Sequence, residues 1–384
     1  MKNINFLPNQ YKKNKKFKIN HNYLSQQFSD YKKIFSKIEK IVKNNDFTLG
    51  SQVDELEKKF VKLTDTKYAI AVGSGTDAIF LSLKSLGIGE GDEVITTSFT
   101  FHATVGAIAT TGAKPVFVDI DSDLNINCDL IEKKITKKTK AIVPVHWAGK
   151  ICDMNKILLI AKKYNLYVIE DACHSILAHN KKRKSGSFGD TGCFSFHPLK
   201  NLNIWGDGGI IVTKNKKIAD KLFLMRNHGL KSRDICVLPG YNSRLDTIQA
   251  VVALHQLQKI KNITQQRIKN SNYLNSKLKD LQGISIINNP SNSKHVYHLF
   301  QFYFKNRDKL LKFLISYGID AKIHYPIPLH LQPAYKYLKY KKGDFVMSEY
   351  ASKNIISLPV HEFIKKKELD FMINKIKYFI NNES

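Results

Sequence analysis

One lysine, Lys200, stands between an apolar run at 193–197 and a glycine turn at 206–209, in the stretch CFSFHPLKNLNIWGDGG. Upstream, another apolar run at 167–169 ends in Glu170, Asp171, Ala172, Cys173 and His174. A lysine just after one strand and an acid at the end of an earlier one suit pyridoxal phosphate (PLP). That cofactor needs an amine to hold it covalently and a carboxylate to keep its ring nitrogen protonated. In a chain with 61 Lys and Arg residues, a lysine is ordinarily a solvated charge. Lys200 differs because Asn201 and Leu202 follow it rather than more charge, at a strand-to-turn junction where functional groups gather.

Such a lysine moves a proton only when neutral, so its surroundings must lower its pKa. Asp171 also reads as a helix N-cap, and His174 as a satisfied core histidine. Gly75 and Thr76 open a helix after the strand Tyr68–Val72. Free amides at a helix start, plus a hydroxyl, make a phosphate cup, although GSGT alone equally reads as a turn and cap. The absence of a GxGxxG fingerprint argues against a dinucleotide site.

The elements that must position these residues alternate. Strands are expected at Tyr68–Val72, Glu93–Thr97, 115–120 and 141–146, with helices at 76–86, His102–Thr110 and 153–164. In the last helix Met154, Ile157, Leu158, Ala161 and Tyr164 share one face. This alternation predicts an α/β fold, a mostly parallel sheet covered by helices on both sides. Right-handed crossovers bring the strand ends, and hence the ligand, to one edge. Residues 1–45 form a polar, Lys-rich and partly helical segment with a stripe of Tyr31, Ile34, Phe35, Ile38 and Ile41. Residues 46–250 read as the large domain. Beyond 250 the pattern becomes that of a smaller α+β domain, 251–384. A long helix from 245 to about 281 leads to strands at 284–287 and 295–304 and helices at 307–317 and 365–380. No internal repeat is evident.

At 384 residues, two domains are the default. The apolar fraction of 43% is that of a soluble globular protein, and no apolar run is long enough to span a bilayer. The N-terminal stretch lacks an apolar h-region, so no secretory leader is expected. Five scattered cysteines without a CxxC pair argue against disulfides and a zinc site, and fit a reducing cytoplasm; no metal is expected. The net charge of +28 comes from lysine, with abundant Asn and Ile, as an AT-rich genome would write at tolerant surface positions. Small clusters occur at 12–18 and 365–367, without a basic-aromatic module, so specific nucleic-acid binding is not expected. The positive potential should instead attract a substrate carrying a diphosphate.

Taken in order, FTLG (47–50), GSGTDA (73–78), SFTFHAT (98–104), GAKPVFVDID (112–121), IVPVHWAG, IEDACHS, FSFHPLKNL, GDGG, YNSRLDTIQA (241–250), IHYPIPLHLQPAY (323–335) and SLPVH (357–361) resemble the DegT/DnrJ/EryC1/StrS sugar aminotransferases. Each piece is weak, but chance matches do not arrive in order over roughly three hundred residues. The resemblance implies PLP-dependent transferase fold type I, like aspartate aminotransferase, with a mostly parallel seven-stranded sheet and a smaller C-terminal α+β domain. It also implies roles. Lys200 is the PLP lysine and Asp171 the partner of the ring nitrogen. His174 lies against the ring, and Phe101 stacks on it unless it is ordinary core packing. Gly75, Thr76 and Ser195 bind the phosphate, and Asn242 reaches the phosphate of the neighbouring subunit, hence a homodimer. Arg244 holds the donor carboxylate or pairs with Asp246. His324, Tyr325 and His330 resemble a substrate-side loop, and Cys173 fills a place usually taken by a small residue.

Dehydratases of this family carry His at the position of Lys200, so lysine points to transamination. The implied reaction moves an amino group from L-glutamate to a nucleoside-diphosphate keto-sugar, for a surface polysaccharide or glycosylated metabolite. The KNL…GDGG reading leans to a 3-keto-6-deoxyhexose on dTDP or UDP; members acting at C4 often read GEGG. The alternatives are a C4 aminotransferase, a PLP- or PMP-dependent dehydratase, and a regulatory relative that has lost its chemistry.

Overall fold

The computed structural model describes residues 17–287 and 293–382. Residues 1–16, read above as lacking a leader, and the basic cluster at 12–18 apart from Lys18, lie outside them.

Seven strands form the central sheet: β1 Tyr68–Val72, β2 Glu93–Thr97, β3 Lys114–Val118, β4 Thr139–Ile142, β5 Tyr167–Asp171, β6 Thr191–Ser195 and β7 Gly209–Thr213. Their order is β1-β7-β6-β5-β4-β2-β3. The pairs β3/β2, β2/β4, β4/β5 and β5/β6 are parallel, while β7 runs antiparallel to both β6 and β1. The strands are almost wholly buried, so they are apolar on both faces rather than alternating. Helices Gly75–Ser85, His102–Thr110, Met154–Tyr164 and Lys216–Met225 cover the sheet. Three of these starts are capped by side chains: Ser74 accepts from the Asp77 amide, Asp153 from Lys156, and Asn215 from Lys217 and Ile218.

A second, antiparallel sheet takes the order β8 Ile284–Ile286, β9 Phe300–Phe304 and β10 Ile355–Leu358. Helices Ile260–Leu278, Arg307–Ser316 and Lys366–Asn382 close a core on it with Leu274, Phe300, Phe302, Leu314, Met372 and Phe379.

Several boundaries differ from the sequence reading. The helix expected from 245 to 281 is two, Thr247–Leu257 and Ile260–Leu278. The Lys259 amide reaches back three residues to the Gln256 carbonyl at 2.9 Å, a tight turn that breaks the ladder. The first helix packs Ala250 to Leu254 on the central sheet, so a boundary at 250 would cut it. Residues 295–299 are not strand: the amides of Val296, His298 and Leu299 bond the carbonyls of Gly149 and Ala148 instead. Nor do residues 1–45 stand apart where they are described. Ile19 bridges to Ile319 and enters the second core, while Ile34 and Ile41 bury against the first. A polar segment with one apolar stripe cannot close a core alone, so it lies across both. Among the described residues no helix is long and apolar enough to cross a membrane.

Candidate active site

Register explains why the site forms. Asp171 pairs with Cys193 across β5/β6, Ser195 with Gly209 across β6/β7, and Gly209 with Val72 across β7/β1. Asp171, Ser195 and the helix that starts at Gly75 therefore meet at one sheet edge.

Asp171 is 5% exposed. Its Oδ2 accepts from the Thr104 hydroxyl at 2.7 Å and its Oδ1 from the Cys173 amide at 3.2 Å. No helix follows it, so the N-cap alternative drops out. Lys200 lies in the loop from β6 to β7. Its amide donates to the His197 carbonyl at 2.8 Å, and its carbonyl accepts from the Tyr23 hydroxyl at 3.2 Å. Loss of water holds the Lys200 amine below the ordinary lysine range, against the opposing pull of Cys173 and Asp171.

Gly75 faces Ser195. A Cβ built there would lie 2.7 Å from Ser195 Cβ and 3.0 Å from Cys173 Sγ, so the helix start approaches β6 as closely as glycine permits. Thr76, in the first turn, is exposed. Ser243 ties the next segment to this cup: it accepts from the Gly73 amide at 3.2 Å and donates to Asp77 Oδ2 at 2.8 Å. Asn242, beside it, is exposed and bridges to Asn227. Arg244 Nη1 donates to Asn227 Oδ1 at 2.8 Å, a partner that sequence did not suggest in place of Asp246.

Rings line the opening. His174 is 8% exposed, with its ring centroid 4.3 Å from His298 and 5.5 Å from Trp147. Burial, then the charges of Lys200 and His324, hold its pKa well below the usual histidine range. Among the described residues its buried Nδ1 has no hydrogen-bond partner, so the satisfied-histidine alternative fails. Phe101 is 47% exposed, which removes core packing as its role, and its ring lies 5.7 Å from Tyr325. Tyr325 also meets Trp147 at 5.7 Å, and burial and the Asp171 charge push its hydroxyl pKa up. His324 packs beside it at 5.6 Å. His330 is not brought into this group. It bonds Glu349 at 3.0 Å and packs on Phe345 in the layer of Phe117 and Tyr335.

Sequence reasoning passed over Thr104, Trp147, His298 and Gln301. Thr104 and Trp147 lay inside SFTFHAT and IVPVHWAG; the Thr104 hydroxyl and the Trp147 indole N–H were the available signals. His298 and Gln301 sit in an apolar run that read as plain strand.

These residues fit PLP: a desolvated amine, a buried carboxylate, a glycine-lined helix start beside a serine, a half-exposed aromatic ring and an unpaired imidazole nitrogen. When bound, that group supplies an electron sink. Lys200 can hold it and carry a proton, and Asp171 can keep its ring nitrogen protonated, with Thr104 and the Cys173 amide fixing the carboxylate. His174 offers a polar contact at its edge.

The DegT/DnrJ/EryC1/StrS aminotransferase family profile matches residues 29–377. A dTDP-3-amino-3,6-dideoxy-α-D-galactopyranose transaminase from Aneurinibacillus thermoaerophilus is 37% identical over 349 residues, 91% of this chain and 95% of its own. A pleiotropic regulatory protein from Geobacillus stearothermophilus is 39% identical over 93% of this chain and 97% of its own. The solved structure of S. venezuelae DesV gives a TM-score of 0.92 at 32% identity, over 94% of this chain and 98% of that one. Other solved neighbours are held in PLP and PMP forms.

Proposed function

The chain belongs to the DegT/DnrJ/EryC1/StrS aminotransferase family and is a PLP-dependent transaminase, and we propose that its acceptor is a keto-sugar linked to a nucleoside diphosphate. The amino donor in this reading is L-glutamate, and the position aminated is C3 of a 6-deoxyhexose. The product feeds a surface polysaccharide or a glycosylated metabolite, and the reaction runs in the cytoplasm.

One observation carries the reading: Lys200, and not histidine, occupies the desolvated position facing Asp171 and Cys173. A neutral amine there takes a proton from the donor's Cα and returns one to the acceptor carbon. Asp171 holds the ring-nitrogen proton, its carboxylate oriented by two hydrogen bonds. Phe101 shields one ring face from water. Ser195, Gly75 and Thr76 hold the phosphate. Asn242, exposed beside that cup, reaches a second copy of the chain and makes the working unit a homodimer. Arg244, anchored on Asn227, takes the donor carboxylate.

The C3 preference draws support from the GDGG turn and from the relative that acts on a 3-amino sugar. A C4 acceptor is the second choice, and a dehydratase is disfavoured by Lys200. The regulatory name of the Geobacillus relative favours a non-enzymatic reading. A chain freed from catalysis would have no need to keep a desolvated lysine beside a buried carboxylate.

The test is a panel of dTDP- and UDP-linked 3-keto and 4-keto sugars with L-glutamate, read by mass spectrometry of the amino-sugar product. Amination at C3 is the expected result. Turnover at C4 would overturn the positional choice, and no turnover with any nucleotide sugar would overturn the substrate class.

A further inference from the structure

Trp147 Nε1 donates to Gln301 Oε1 at 2.8 Å. An indole N–H can only donate, so the Gln301 amide has one orientation, oxygen towards Trp147 and nitrogen away. Both amide hydrogens are then engaged, on Ser357 Oγ at 3.0 Å and on the His324 carbonyl at 3.3 Å. Ser357 is fully buried, and among the described residues its hydroxyl meets one further partner, His324 Nδ1 at 2.9 Å. A hydroxyl that accepts from Gln301 and is sealed from water must give its hydrogen to that ring nitrogen or leave it unsatisfied. His324 Nδ1 is therefore an acceptor, and the single ring hydrogen sits on Nε2. Burial, then the charges of His21, Lys322 and Lys200, push the pKa of the ring down to about 3, so no second proton joins it.

The relay is rigid because the backbone is paired beneath it. Gln301 and Ser357 face each other across β9/β10, and Lys322 and Ser357 exchange amide and carbonyl bonds at 2.9 and 3.0 Å. Trp147 is shared with the site, since its ring also packs on His174 and Tyr325. Among the described residues, no hydrogen-bond partner meets His324 Nε2.

We propose that Gln301, acting through Ser357, is a positioning residue that locks His324 in the Nε2–H tautomer, so that its ring donates a hydrogen bond to an uncharged oxygen of the keto-sugar. This rests on the substrate reading above. A neutral ring N–H is a directional donor without charge, matched to a sugar hydroxyl or carbonyl; a diphosphate is better met by a cation.

The test uses PLP-loaded enzyme labelled with 15N-histidine, His324→Asn identifying the signal. The wild type and Ser357→Thr should show the proton on Nε2. Ser357→Ala should mix the tautomers. Gln301→Glu should move the proton to Nδ1, because a carboxylate would take the Ser357 hydrogen and leave Oγ to accept from the ring. In the keto-sugar half-reaction with dTDP-3-keto-6-deoxyglucose, Ser357→Ala should raise KM about tenfold. The amino-donor half-reaction should change less than about twofold, and Ser357→Thr should restore both. A wild-type proton on Nδ1 overturns the lock, as does an unchanged tautomer in Ser357→Ala. Equal slowing of both half-reactions reduces the relay to a structural one and overturns the role. If the tautomers behave as expected but no keto-sugar nucleotide is aminated, the substrate reading fails and the lock stands.

Discussion

The Thr104 hydroxyl donates to Asp171 Oδ2 at 2.7 Å, fixing a carboxylate that the sheet has already buried. Thr104 comes from helix His102–Thr110 and Asp171 from the end of β5, so the contact joins two elements at the sheet edge. Thr104 and the Cys173 amide each donate to a different carboxylate oxygen, so the group is held in one orientation.

Asp171→Asn should therefore keep the fold and lose turnover by about a hundredfold or more, because the fixed charge opposite the ring nitrogen is gone. Thr104→Val should lose about tenfold, the scale of one hydrogen bond to a charge. Circular dichroism with steady-state kcat measures both. A near-normal kcat in the Asn variant would remove the electronic role.

Lys200 should be the residue that carries the cofactor. Borohydride reduction of the purified protein followed by peptide mapping should find PLP on Lys200, and Lys200→Ala should lose the visible absorbance. A label on another lysine would show that the desolvated amine is not the attachment point.

Acid should destabilise the fold steeply. Burial lowers His21, His295 and His361 from 6.5 to about 3. The unfolded chain therefore binds more protons than the folded one between those values. Stability is full above the unfolded value and falls as pH drops through it, by about 1.4 kcal/mol per unit for each ring. Urea midpoints at pH 7, 6 and 5 check this. His361→Asn should flatten the slope, since its ring accepts from the Phe363 amide and bonds the Asn20 carbonyl. Midpoints that do not move with pH would contradict the buried, neutral assignment.

Shared sites should show in mixing. If Asn242 serves the phosphate of a second copy, Asn242→Ala and Lys200→Ala chains exchanged together should form heterodimers with one site damaged twice and one spared. Activity recovered from two weak parents is the expected result. A monomer that stays active at high dilution, read by analytical ultracentrifugation, would remove the role of Asn242.

Much of this protein was legible in its sequence. Strands Tyr68–Val72 and Glu93–Thr97 and helix His102–Thr110 follow from local apolar runs and their breakers, as did the junctions holding Asp171 and Lys200. Those signals are short-range: a burial period, a glycine turn, a proline after a strand. The 295–299 segment misled because its apolar residues satisfy their amides on Ala148 and Gly149, far away in sequence. His330 looked like its neighbours in IHYPIPLHLQPAY but turned to Glu349 and Phe345, a choice made by packing.

The sequence by itself determined which groups are available: a lysine and an acid after successive strands, a glycine at a helix start, aromatic residues near both. It did so because residue type and local period are written in adjacent positions. Only the tertiary structure decided which donors hold Asp171, that Gly75 abuts Ser195, and which nitrogen of His324 carries the proton. Those depend on strand register and on side chains separated by 67, 154 or 33 positions, where one partner's geometry fixes the other's.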